Sequence, residues 1–180
     1  MDSFKLKNII KRTLIVLLVT LVVIQFIRPD KNVSTGVTDN DIAKMYTIPA
    51  NVQVIMQKAC NDCHSNNTTY PWYSNLQPVA WWLDDHIREG KSELNFSEFG
   101  TYKLLRQSRK LKKAAGEIEE GEMPLSSFTL IHRDAVLTAE EKAAITTWAK
   151  TLSQEILAKV PPEEIEADKK RRAERERQGK

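Results

Sequence analysis

Five residues, Cys60-Asn61-Asp62-Cys63-His64, constrain this chain more than any other feature, and they contain both of its cysteines. Two thiols separated by two residues lie about one helical turn apart. With a histidine directly after them, they form the pattern that attaches a c-type haem: each thiol adds to one vinyl group, and the imidazole is held under the iron. Three other uses of the pair were weighed. A zinc site needs two further ligands, and His86 and His132 are available, but neither belongs to a closely spaced histidine pair. A thioredoxin-like redox pair expects a strand-helix-strand context. A plain disulfide between Cys60 and Cys63 is permitted outside the cytoplasm and leaves His64 without a role.

Export makes the haem reading stronger, because c-type attachment takes place on the outer face of the bacterial membrane. Residues 13–27 (TLIVLLVTLVVIQFI) carry no charge and follow Lys5, Lys7, Lys11 and Arg12. A buried core helix would show a polar face, which this run lacks. As a helix it rises about 22 Å, short of a hydrocarbon core of about 30 Å. That length suits a cleaved signal peptide. However, Gln25, Phe26, Ile27 and Arg28 offer no small-residue cleavage site, and flanking Lys11, Arg12 and Arg28 can reach outward to the interfaces. Residues 1–28 are therefore read as an uncleaved transmembrane anchor. The excess of basic residues before the run places the N-terminus in the cytoplasm and the rest of the chain in the periplasm.

Residues 29–48 are polar and read as a tether, and 160–180 as a charged, solvated tail. Residues 49–159 are left for one domain, for which a core-filling cofactor would add much buried surface. The formal net charge is +3, with acids and bases mixed along the chain. No basic stripe is interleaved with aromatics, which argues against nucleic acid as a partner.

Inside the domain the apolar spacing is helical throughout. Val52, Ile55, Met56, Ala59 and Cys63 form one stripe after Pro49, so a first helix is expected to deliver the cysteines at its end. Pro78 opens a second, with Val79, Trp82, Leu83, His86 and Ile87 on one face, stopped by Gly90. A third runs over 101–120 to Gly121 with a basic middle. A fourth starts at Thr138, which forms a capping box with Glu141, and buries Ile145, Trp148, Leu152 and Ile156. No alternating pattern long enough for a sheet is present, so the expected fold class is all-α, around one haem. Tyr70, Pro71, Trp72, Tyr73, Trp81 and Trp82 are expected to supply aromatic wall near the motif.

Met123 is the choice for the second axial ligand. Gly121 ends a helix and Pro124 pushes the preceding residue out of helical geometry, so Met123 projects from a fixed loop. A thioether ligand stabilises ferrous iron. His86 and His132 remain the alternatives. No further catalytic set is visible, so the chain is read as an electron carrier rather than an enzyme.

The motifs taken together resemble the bacterial haem-binding domain family of small, membrane-anchored, cytochrome-c-like proteins common in Bacteroidetes. They are Cys-Asn-Asp-Cys-His-Ser (60–65), Tyr-Pro-Trp-Tyr-Ser (70–74), Pro78 with Trp81 and Trp82, His86, Gly90, Asn-Phe-Ser-Glu (95–98), Gly-Glu-Met-Pro (121–124), His132 and Leu-Thr-Ala-Glu-Glu (137–141). One departure is Phe99, where tryptophan often follows the Asn-Phe-Ser-Glu stretch. The resemblance implies covalent haem c, one per chain, on Cys60 and Cys63, with His64 on the iron, and makes His86 and His132 family features. It supplies no redox partner protein. The expected function is electron transfer outside the cytoplasmic membrane. A haem-based sensor, or a haem-bearing subunit of a larger membrane complex, is the alternative.

Overall fold

The computed structural model describes residues 3–178; residues 1, 2, 179 and 180, at the outer edges of the expected anchor and tail, lie outside them. The helices are α1 (Ser3–Ile24), α2 (Ile42–Met45), α3 (Ala50–Ala59), α4 (Asn61–His64), α5 (Val79–Glu93), α6 (Leu104–Glu120), α7 (Ser126–Ile131), α8 (Ala139–Leu157) and α9 (Pro162–Gln178). Short 3-10 turns at Trp72–Asn75, Phe96–Thr101 and Arg133–Ala135 join them, and no strand occurs among the described residues. The all-α expectation is met.

The core forms where α6 lies along α8. Leu111, Ala115 and Ile118 face Ile145, Ala149, Leu152 and Ile156, and both sets repeat at intervals of three and four, the spacing that keeps one helical stripe turned inward. Between them Ser153 Oγ donates to Ser108 O at 2.8 Å and lies 2.9 Å from Ser108 Oγ, which satisfies two hydroxyls inside the interface. Val52, Ile55 and Met56 of α3 join the same core, and Lys58 pairs with Glu141 of α8 at 2.7 Å. The capping box is present: Glu141 N–H donates to Thr138 Oγ1 at 3.2 Å, and Thr138 N–H to Glu141 Oε2 at 3.0 Å. α6, despite its basic middle, is a central core helix.

Two boundaries differ from the sequence expectation. The first helix does not run through to Cys63. It breaks at Cys60, whose φ/ψ of −126°/−45° is not helical, and restarts as α4, which turns the second cysteine and His64 toward α5. Gly90 does not end α5, which continues to Glu93. A Cβ at Gly90 would sit 2.7 Å from the Cys63 carbonyl oxygen and 3.1 Å from Cys63 Cβ. Only a residue without a side chain lets α5 pass this close to the cysteine turn.

The termini also differ. No helix among the described residues is long and apolar enough to cross a membrane. α1 contains Lys5, Lys7, Lys11 and Arg12, so only residues 13–24 of it are free of charge, a rise of about 18 Å, and the chain leaves the helix at Gln25. Residues 4–23 of α1 are exposed.

The segment expected as a tether is stitched to the domain. Asn32 donates to Ser65 O and Thr68 Oγ1, each at 2.9 Å. It also accepts from Lys91 and, through its carbonyl, from Thr68 N–H at 3.0 Å. Farther along, Ser34 N–H donates to Asn67 Oδ1, Thr38 Oγ1 to Ser97 O, and Gly100 N–H to Asn40 O. At the other end residues 162–178 form α9, tied to α6 by Asp168 and Arg109 at 2.5 Å.

Substituting glycine by alanine inside a helix ordinarily stabilises it by up to about 1 kcal/mol. Gly116, with nothing within 4 Å of its notional Cβ, should follow that rule as Gly116→Ala. Gly90→Ala should reverse the sign and destabilise by roughly 1–3 kcal/mol through overpacking against Cys63. Urea denaturation followed by circular dichroism reads both. Equal shifts would show that α5 does not bear on the cysteine turn at Gly90.

Candidate functional site

The break at Cys60 and the close passage of α5 open a cavity of about 560 Å³ beside the cysteine turn, within the roughly 300–1,000 Å³ of small-molecule and cofactor sites. Cys60, Cys63, His64, His86 and Met123 all line it. Three parts of the chain meet there: α4 with α5, the face of α6 from Arg106 to Ile118, and the loop from Met123 into α7. Leu94, Ala114, Ile118, Leu125, Phe128 and Leu137 supply its apolar wall.

Both cysteines are free thiols. Burial, with the neighbouring Cys63, pushes the Cys60 thiol up to about 12; burial, with Asp62, pushes Cys63 up to about 11. They are therefore thiols rather than thiolates at neutral pH. Among the described residues no group of three or more His, Cys, Asp or Glu side chains is placed to hold a metal ion by itself.

His64 is oriented by its backbone surroundings. Its Nδ1 lies 2.8 Å from Leu94 O. Burial lowers its pKa, against the raising influence of the Leu94 and Gly90 carbonyls, so the ring is neutral. Nδ1–H donating to a carbonyl fixes the tautomer and leaves Nε2 with its lone pair free, which is how ligating imidazoles are commonly held.

Met123 reaches the cavity because Gly121 adopts φ +82°, the left-handed conformation that ends α6. The N–H groups of Glu122 and Met123 both donate to Glu117 O, at 2.9 and 3.1 Å, which folds the loop back over the last turn. His86 is on the cavity rim, its Nδ1 2.8 Å from Trp82 O and its ring 4.3 Å from the Trp82 ring. His132 is not among the lining residues: its Nε2 lies 2.6 Å from Tyr73 Oη, and its ring stacks on Phe128. His132 touches the site only through that stacked Phe128.

The aromatic run is also placed differently from expectation. None of Tyr70, Pro71, Trp72, Tyr73, Trp81 or Trp82 lines the cavity, and Trp72 is 76% exposed. Aromatic content near a motif says nothing about which face of the helix carries it, and α5 turns His86, Glu89, Gly90 and Glu93 inward instead.

Sequence reasoning missed the basic wall. Arg106, Arg109, Lys110 and Lys113 of α6 line the cavity. Arg109 is paired with Asp168, and Lys113 with Glu93 at 3.0 Å. Arg106 and Lys110 make no ion pair among the described residues; both rest over the Tyr102 ring, 4.9 and 5.0 Å from its centroid. Burial, and then the Arg106 charge, lowers the Lys110 pKa. The visible signal was the spacing of 106, 109, 110 and 113, one helical face opposite the apolar stripe of the same helix.

The site thus combines apolar walls, two thiols, an oriented imidazole, a thioether and two cations, Arg106 and Lys110, that make no direct ion pair among the described residues and feel the Glu93 charge through space. A flat apolar tetrapyrrole with two carboxylates and an iron centre fits that donor set. Comparisons with curated proteins and with solved structures gave no match. The haem-binding domain family, in contrast, matches residues 19–151, well over half of the chain, from within α1 through the stitched segment, the cysteine turn and the cavity into α8. This chain belongs to the haem-binding domain family.

Proposed function

We propose that the chain holds one haem covalently through Cys60 and Cys63, ligates its iron with His64 and Met123, and works as a membrane-anchored, cytochrome-c-like electron carrier in the periplasm. The observation that carries this reading is that both thiols, the oriented His64 and Met123 line a single cavity. Bound haem supplies a one-electron ferric/ferrous couple.

The chain's own contributions follow from its geometry. Cys60 and Cys63, held as thiols by burial, would hold the group through thioether bonds, each thiol adding its S–H across one vinyl double bond with no net oxidation. His64 keeps its Nε2 lone pair because Nδ1 is engaged by Leu94 O. Met123 contributes a soft sulfur that favours the ferrous state. Arg106 and Lys110 would donate to the two carboxylates, beside the Glu93 charge they already feel. The exposed apolar residues of α1, flanked by Lys11 and Arg12, attach the domain to the bilayer.

A second reading, a haem-based sensor or haem-bearing subunit, is favoured by His86 on the same cavity rim, where it could serve a bound gas. Carbon monoxide separates the two: a carrier with both axial positions filled resists it in the reduced state, and a sensor takes it up.

Chain matured with the c-type machinery should keep its haem through acid-acetone extraction, and Cys60→Ala with Cys63→Ala should lose it. Haem that washes off the wild-type chain would refute covalent attachment. In the ferric absorption spectrum, Met123→Ala should abolish the sulfur-to-iron charge-transfer band while His86→Ala and His132→Ala retain it; the band surviving in Met123→Ala would remove Met123 from the iron. For the cations, the haem-free chain should bind haem roughly tenfold more weakly as Arg106→Gln or Lys110→Gln, the scale of one charge-assisted hydrogen bond. Haem dimethyl ester should bind the variants and the wild type alike. Equal losses for acid and ester would show that the two cations do not recognise carboxylates.

A further inference from the structure

We infer that the N-terminal end of α5, with the base of α1, is a membrane-seating surface that rests in the headgroup and acyl boundary of a lipid bilayer. The inference builds on the reading of α1 as a membrane anchor. It assigns a place to aromatic residues that the cavity does not use.

Phe26, Ile27, Leu76, Val79, Trp81 and Trp82 are between 37% and 84% exposed, and they gather where α1 meets α5. Cα–Cβ bonds tilt toward a helix's N-terminus, so Val79, Trp81 and Trp82, all in the first turn of α5, lean toward the junction with α1. Single exposed apolar residues are ordinary, but six at one corner, two of them tryptophan, form a patch that marks an interaction site.

The junction is rigid. Gln77 is 4% exposed; its N–H donates to Gln25 Oε1 at 2.9 Å and its carbonyl accepts from Gln25 Nε2 at 3.2 Å. Gln77 Nε2 and Trp81 Nε1 both donate to Ile27 O, at 2.8 and 2.9 Å. Four hydrogen bonds leave no slack between the end of the apolar helix and the start of α5. If α1 lies in lipid, the corner it is fastened to lies at the lipid surface.

The chemistry of the corner suits that surface. Indole rings favour the membrane interface, where one side is apolar and the other wet. The Trp81 N–H already has Ile27 O as acceptor, so its ring can be buried without stranding a donor. Arg28 and Lys31 follow within four residues of Ile27 and favour anionic headgroups. The Trp82 ring lies 4.3 Å from His86, which is on the cavity rim, so the seated face places the mouth of the haem site beside the bilayer.

The haem-loaded full chain is reconstituted into phosphatidylethanolamine and phosphatidylglycerol vesicles containing a phospholipid with a photoactivatable diazirine near the glycerol end of one acyl chain. After illumination, adducts are mapped by mass spectrometry. Lipid adducts are expected on residues 13–27 and also on residues 76–82. Val79→Glu should lower the adduct at 76–82 roughly tenfold, because it places a charge in the boundary, with the Soret band and the α1 adducts unchanged. Adducts on α1 alone would overturn the seating surface and leave the anchor standing. Adducts on neither would overturn the anchor reading and the seat with it. Adducts on α1 alone, with the reconstituted chain dimeric in native mass spectrometry, would overturn the seat in favour of a second copy of the chain.

Discussion

The site depends on one close approach, the passage of α5 over the cysteine turn at Gly90. Without a side chain there, the α5 backbone comes near enough to Cys63 for the residues just beyond it to act on His64. The Leu94 carbonyl, at the C-cap of α5, then accepts from His64 Nδ1 and fixes which nitrogen faces the cavity. A kink at Cys60, an absent Cβ and one carbonyl therefore set the direction of the imidazole. The thiols are placed by the same turn, so both thiols and the imidazole share one piece of backbone geometry.

The far wall is made differently. α6 has two jobs on opposite sides: Leu111, Ala115 and Ile118 pack on α8, while Arg106, Arg109, Lys110 and Lys113 face the cavity. Packing on α8 holds the basic face at a fixed distance, and Gly121 swings the chain back so that Met123 closes the same cavity. Charge in this wall is half neutralised from within the protein, by Asp168 and Glu93. Glu93 also acts through space on Arg106 and Lys110, which rest over the Tyr102 ring.

Much of this was legible in the sequence because the deciding residues act locally. The capping box at Thr138 and Glu141, the left-handed Gly121 and the period of the α8 stripe each depend on neighbours within one or two turns. What escaped was set by contacts distant in sequence. Gly90 looks like a helix stop until Cys63 is seen beside it. The polar residues 29–48 look like a free tether because nothing local shows that Asn32 binds the loop after the haem motif. The tryptophans were assigned to the cavity on proximity alone, yet which face of α5 turns inward is decided by α4. His132, a plausible ligand by type, is engaged by Tyr73, fifty-nine positions away.

The cavity is assembled from two stretches well apart along the chain, residues 59–94 and residues 106–137. Any process that delivers the polypeptide N-terminus first presents both thiols and His64 while the basic wall and Met123 are still to come. For that interval the cysteine turn, already braced by α5, is half a socket, open on the side the second stretch will later close. Order of emergence alone thus exposes two thiols that burial covers once α6 has settled onto α8.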